Sequence, residues 1–273
     1  MANSEERSGY YVYGVLREGA TDVVEKCAPV LFGKDITVVP FKDVGIVVSE
    51  VALKNFDEDM LQEKLRSDPQ WTETNVRKHH EALHALSIAG NTVIPCAFGV
   101  VFKTKENLLH YVADDYQRLR TLLSSLRGKE EWCVKVYLDN EKRIKQFKQH
   151  DKEARALERR KGRVPEGMAW YIEKKIDQLL HTRLSEELEQ WIQNIVESLH
   201  VYGESIVLHD TSSNTLEYSS DDLLLNASCL IKKNSVAHFH LQWRVFFQHY
   251  SSQGLYCKLT GPWPPYNFVK PHV

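Results

Sequence analysis

Glu131-Trp132-Cys133-Val134-Lys135-Val136-Tyr137-Leu138 decides how the second half of this chain folds. Trp132, Val134, Val136 and Leu138 alternate with polar or exposed-type residues, the two-residue period of a half-buried strand. Downstream, a charged stretch leads into a long helical pattern from about Pro165 to Leu199. Its apolar stripe runs through Ile172, Ile176, Leu179, Leu184, Leu188, Trp191 or Ile192, Ile195 and Leu199 at three- and four-residue steps. A short strand at Ser205 to Leu208, a polar loop at Asp210 to Asn214 and a strong strand at Leu223 to Ile231 follow. Val236, Phe239, Trp243, Phe246, Phe247 and Tyr250 mark an amphipathic helix, and Leu255 to Thr260 is the last strand. The order is β-α-β-β-α-β, the split motif of ferredoxin-like domains.

Upstream the pattern is related but carries extra helices. Tyr10 to Leu16 reads as an opening strand, followed by a short helical stretch around Asp22 to Cys27. Ile36 to Phe41 and Gly45 to Val51 form a hairpin across Lys42-Asp43. Asp57 to Arg66 and the stretch from Pro69 to about Ala89 are helical. The second of these follows Asp68-Pro69 and stops at Gly90-Asn91. Lys105 to Leu126 is a further amphipathic helix. The predicted fold class is therefore α+β in two domains. Residues 1–130 form a β-α-β-β-α arrangement with extra helices. Residues 131–273 form a ferredoxin-like domain with a charged insertion at 139–163 and a proline and aromatic tail at 261–273.

The 273 residues supply enough apolar content for two cores, and a formal charge of −2 argues against a dedicated nucleic-acid binder. Cys27, Cys96, Cys133, Cys229 and Cys257 are scattered and never form a C-x-x-C pair. That speaks against a disulfide scaffold or zinc knuckle and points to a cytoplasmic location. Ala85 to Phe102 is uncharged, but Gly90-Asn91, Pro95 and Gly99 interrupt it, so a helix end, a turn and a buried strand are expected rather than a membrane span.

His80-Glu81-Ala82-Leu83-His84 is a literal H-E-x-x-H on a predicted helix, where two imidazoles one turn apart can share zinc and the glutamate can act on metal-bound water. A zinc-dependent peptidase using His80, Glu81 and His84 is the alternative function. His110 and Glu106 fit no zincin spacing, so neither a metal site nor a catalytic residue is expected. His238 and His240 lie two apart on a helix and point to different sides; with His249 they read as surface or boundary residues. No dinucleotide, phosphate-loop or nucleophile-elbow motif occurs, and no cofactor is expected. In the insertion, ten basic residues stand against five acidic ones with Phe147 as the only aromatic. This predicts a solvated, mobile helix or linker, or a surface that steers an acidic protein partner.

The tail Gly261-Pro262-Trp263-Pro264-Pro265-Tyr266-Asn267-Phe268-Val269 combines fixed φ angles with three aromatic rings that are costly to leave in water. It is expected to seal its own, second domain. The alternative is a preformed ligand for another protein through Trp263, Pro264, Pro265, Tyr266 and Phe268.

This tail resembles the closing motif of the gas vesicle GvpL/GvpF family. Two further stretches match that family in the same order: Thr92-Val93-Ile94-Pro95-Cys96-Ala97-Phe98-Gly99-Val100-Val101-Phe102 and Gly128-Lys129-Glu130-Glu131-Trp132-Cys133-Val134-Lys135-Val136-Tyr137. With the opening strand, the resemblance covers nearly the whole chain. Glu131-Trp132 and the stretch Glu173 to Leu179 lean towards its GvpL branch. The resemblance implies a non-enzymatic accessory or minor structural protein of gas vesicle assembly. Such a protein would bind the shell protein GvpA and other accessory proteins in the cytoplasm or at the gas vesicle. It also counts against the zinc reading, since the family has a histidine at the position of His80 but not of His84.

Overall fold

Strand Ser8–Arg17 (β1) is buried along almost its whole length, so both of its faces must be covered. The computed structural model describes residues 8–17, 35–56, 58–211 and 221–269. The helical stretch expected at Asp22 to Cys27 and most of the polar loop at Asp210 to Asn214 lie outside them. The chain forms two compact units. One comprises Met1–Glu131 together with Pro262–Val273, and the other Trp132–Gly261.

In the first unit β1 pairs antiparallel with Val44–Ala52 (β3), which continues the hairpin from Ile36–Phe41 (β2). Helices Glu58–Ser67 (α1) and Pro69–Ile88 (α2) follow, then Val93–Pro95 (β4), Val101–Phe102 (β5) and helix Lys105–Leu126 (α3). The strand order is β2-β3-β1-β4, with β5 also on β1. The register of β1 slips at Tyr13: Val12 faces Val48, whereas Gly14 already faces Val47. This bulge shifts the alternation by one residue. Tyr11, Tyr13 and Leu16 thereby join one cluster with Ala82, Leu83 and Leu86 of α2. Val12 and Val15 turn to the opposite side, towards Leu108, Val112 and Leu119 of α3. One strand thus serves two helical layers.

The close approach of β1 to β4 requires glycine at position 14. A Cβ on Gly14 would sit 2.5 Å from the carbonyl oxygen of Ile94, a backbone atom that cannot swing away. Gly14→Ala should therefore destabilise the first unit by about 2 kcal/mol or more, read as an earlier urea midpoint for β1 and β3 amide exchange. Unchanged protection would mean that the strand relaxes without cost.

In the second unit, Lys129–Asp139 (β6) enters from Glu131 and is followed by helices Asn140–His150 (α4), Lys152–Lys161 (α5) and Glu166–Tyr202 (α6). Ser205–His209 (β7), Asp221–Lys232 (β8), helix Val236–Ser251 (α7) and Leu255–Trp263 (β9) complete the order. The sheet runs β7-β8-β6-β9, with β7 and β8 antiparallel. Trp132, Val134, Val136 and Leu138 all face the core, against Trp191, Ile195 and Leu199 of α6 and Phe239, Trp243 and Phe247 of α7. Strand β9 runs past the expected stop at Thr260 to Trp263. Its edge position tolerates Pro262, which has no N–H to donate.

The charged insertion departs from expectation in part. Residues 140–150 and 152–161 are two helices, largely solvated as expected but packed through a few apolar side chains. Asp139 caps α4 by accepting from the Lys142 N–H, and Asp151 caps α5 by accepting from the Glu153 and Ala154 N–H groups. Phe147, Ala154 and Leu157 then meet Ile172 and Ile176 in a small core of their own. The 37-residue α6 is about 55 Å long at 1.5 Å per residue, so its first half serves this cluster and its second half the sheet.

Candidate functional site

The tail lies on the first unit, not on the second as its sequence position suggested. It belongs to the same unit as residues up to Glu131. Two contacts anchor it there. Asn267 donates from its backbone N–H and from Nδ2 to the buried Glu131 carboxylate, at 3.2 and 2.6 Å. Tyr266 brings its hydroxyl to 3.1 Å from Nε2 of His79. Pro264 and Val269 are buried, Pro265 and Phe268 partly so, and Trp263 remains 45% exposed. Of the five tail residues named from sequence, Trp263 alone has an exposed side chain.

His79, which sequence reasoning passed over in favour of its neighbour, is the centre of this region. Nε2 faces the carbonyl oxygen of Cys96 at 3.1 Å, an atom that can only accept, so Nε2 carries the proton. Nδ1 must then accept, and the Tyr11 hydroxyl donates to it at 2.8 Å. That hydroxyl in turn accepts from the Gly99 N–H. The ring of His79 stacks on Tyr13 at 5.7 Å, and Tyr13 donates to Ser49, which donates to the Asp35 carbonyl. Residue spacing could have found His79, because Asn75, His79, Ala82, Leu83 and Leu86 trace the buried stripe of α2.

Burial pushes His79, Tyr11, Tyr13, Tyr266 and Cys96 towards their neutral forms. The imidazole of His79 falls to about 4, chiefly through desolvation. Desolvation raises Tyr13 to about 12 and lifts Tyr11 and Tyr266 further still. Desolvation lifts the half-buried Cys96 thiol to about 12, far from the thiolate that nucleophilic chemistry needs. A neutral, hydrogen-bonded network of this kind orders a core.

His80 and His84 share one face of α2 beside this stripe, both partly buried. His80 packs edge-on against the Tyr266 ring at 5.2 Å, and burial lowers its pKa. Glu81 faces solvent, 4.0 Å from Arg77. Among the described residues, no group of three or more His, Cys, Asp or Glu side chains is arranged to hold a metal ion. In the second unit His240 sits edge-on to Trp132 at 4.4 Å, while His238 is exposed beside Tyr202.

On the far side of β1 a largely apolar cavity of about 220 Å³ opens between the sheet and α3. Val12, Val15 and Ile46 line it from the sheet, Leu108 and Val112 from the helix, and Tyr266 and Val269 from the tail. Its polar side is the bidentate pair of Arg118 and Asp115, at 2.8 and 2.6 Å, which raises the Arg118 pKa. The cavity accepts an apolar group of a few carbons beside a fixed, mutually neutralised ion pair. No helix among the described residues is long and apolar enough to cross a membrane.

Known proteins resemble this chain along nearly its whole length. The family described as gas vesicle synthesis protein GvpL/GvpF matches residues 9–270. Gas vesicle protein L1 of Halobacterium salinarum is 24% identical over 97% of this chain and 93% of its own length. Gas vesicle protein L of a Streptomyces species is 25% identical over 95% and 92%. The crystal structure of the gas vesicle protein GvpF from Anabaena superposes with a TM-score of 0.70 at 20% identity, covering 97% of this chain and 98% of that one. GvpF from Microcystis aeruginosa gives 0.65 at 19%, covering 95% and 98%. At these identities the structural likeness shows a shared fold, a mixed α and β architecture with two antiparallel sheets.

Proposed function

Because this chain belongs to the gas vesicle synthesis GvpL/GvpF family, we propose that it is a non-enzymatic accessory or minor structural protein of gas vesicle assembly that binds the shell protein GvpA and other accessory proteins. The observation that carries this reading is the family match across residues 9–270, which includes the tail and both units. The chemistry of the first unit supports it. His79, Tyr11, Tyr13 and Cys96 are held neutral and ordered, as a scaffold requires and as acid–base catalysis does not. A shell subunit exposes apolar helices and strand edges before it polymerises. The cavity beside α3 offers such a subunit a pocket for an apolar side chain, and β2 and β7, at the ends of their sheets, offer edges for strand addition. We read the strand order shared by the two sheets as a ferredoxin-like arrangement used twice, with helices α2 and α3 on opposite faces of the first copy. Its place of work on this reading is the cytoplasm and the growing gas vesicle.

The test is genetic and biochemical. Deleting the gene should abolish gas vesicles, and the wild-type copy should restore them. The purified full chain should retain GvpA, and filling the cavity with Val112→Phe should weaken that retention about tenfold. Normal vesicles in the deletion strain would remove the assembly role. Retention of GvpA unaffected by Val112→Phe would move the contact away from the cavity.

A further inference from the structure

The turn between α5 and α6 gathers features that the sheets and the tail do not explain. Leu157 of α5 shares its core with Ile172 and Ile176, and Lys161 pairs with Glu173, so the last turn of α5 lies beside the first turns of α6. On those first turns Met168, Trp170 and Tyr171 are 53%, 65% and 65% exposed. Isolated exposed apolar residues are ordinary; here Met168 and Tyr171, three apart, share a face of the helix and Trp170 adjoins Tyr171 along it, so the apolar exposure is grouped.

The charges around the patch are one-sided. Most carboxylates near the turn are taken up internally, whereas Glu141, at the start of α4, is exposed. Glu173 holds Lys148 and Lys161, Glu158 holds Lys148, and Asp151 and Glu153 hold Arg183. Arg159, Arg160 and Arg163 are exposed, and among the described residues they make no ion pair. Lys174 lies 6.0 Å over the Trp170 ring and within 3.9 Å of Asp177. Glu166, also exposed, occupies the first turn of α6, where the helix N-terminus offsets its charge. A chain of net charge −2 thus presents a cationic tip around bare aromatic rings.

We infer that the α5–α6 turn is a docking surface for an acidic protein segment, which covers Met168, Trp170 and Tyr171 with apolar side chains and meets Arg159, Arg160 and Arg163 with carboxylates. Trp, Tyr, Met and Arg are the residues enriched in the buried centres of protein interfaces, where Lys is depleted. The planar guanidinium fork pairs with a carboxylate through two parallel hydrogen bonds. The positive field speeds encounter with an acidic partner, while the aromatic rings set the lifetime of the complex. This surface is separate from the cavity of the first unit, and the inference stands whether or not GvpA uses that cavity.

The photo-crosslinker benzoylphenylalanine, placed at Met168 in the full chain within the cells that make it, tests the surface. The adduct should be a protein, joined through a segment of net negative charge as identified by mass spectrometry. That protein, purified, should bind the full chain. Its affinity should fall about tenfold or more with Arg159→Glu, Arg160→Glu and Arg163→Glu combined, and by a similar factor with Trp170→Ala. All four side chains are exposed, so the variants should keep the native circular dichroism. The inference is overturned by no adduct, by an adduct to phospholipid or RNA, by a neutral or basic crosslinked segment, or by affinity indifferent to both variants. GvpA retention by the charge-reversed chain separates such a failure from failure of the gas vesicle reading.

Discussion

Lowering the pH from 7.5 to 5 should weaken the first unit by about 2 kcal/mol through His79 alone. The unfolded imidazole takes a proton near pH 6.5, whereas the folded one resists until about 4. Between those values the unfolded chain binds more protons, so stability is fully present above about 6.5 and drains away as the pH falls towards 4. The cause is geometric. Nδ1 already accepts from Tyr11, and a second ring proton would set two donors against each other in a buried site. Amide exchange in β1 and β3, followed in urea at both pH values, reads the first unit by itself. His79→Gln has no titrating group and can still donate and accept, so its pH difference should be smaller by those 2 kcal/mol. Equal pH dependence in wild type and variant, or an imidazole that titrates near 6.5 by NMR, would show that the ring is not held neutral.

Removing residues 264–273 should unfold the first unit earlier and leave the second nearly unchanged. Tyr266 and Val269 leave apolar surroundings, at about 2 kcal/mol each. The His79 and Glu131 hydrogen bonds add about 1 kcal/mol apiece. Ordering a short tail offsets part of this, and Pro264 and Pro265 keep that offset small. A net loss of about 4 kcal/mol is expected, seen as early loss of protection in β1 and β3 while β6 and β8 hold. Asn267→Ala should reproduce a smaller part of it. Loss of protection confined to β6 and β8 would return the tail to the second unit, as its place in the chain had suggested. Intact stability in both units with loss of GvpA retention would make the tail a direct ligand.

Much of the fold was legible because its signals are local. Helix Lys105–Leu126 begins at the Thr104 cap and ends where Arg127-Gly128 breaks the apolar period, so the sequence bounds and the observed ones coincide. The hairpin across Lys42-Asp43 is also present, its second strand one residue longer at each end than the pattern gave, and Lys42 takes a positive φ of 52°. In the insertion the charge density was legible, but the capping and packing that order its two helices were not. Asp139 and Asp151 start helices, and a few apolar residues suffice when a neighbouring helix offers Ile172 and Ile176. The site was less legible still. H-E-x-x-H drew attention to His80 and His84, while the ring that organises the region is His79, one residue earlier on the buried face.

The sequence by itself determined most of the described elements and their order, because periodicity, caps and turn residues act over a few positions and need no distant partner. It also determined the family, whose motifs recur along the chain in the right order. Tertiary structure alone decided which unit the tail joins. Proline and aromatic content shows that Trp263 to Phe268 is stiff and must be covered, but the covering atoms belong to His79 and Glu131, 187 and 136 residues away in the chain. It likewise decided the charge state of His79, since an imidazole in water and one between Tyr11 and Cys96 have the same sequence neighbours and differ only in what burial brings against them.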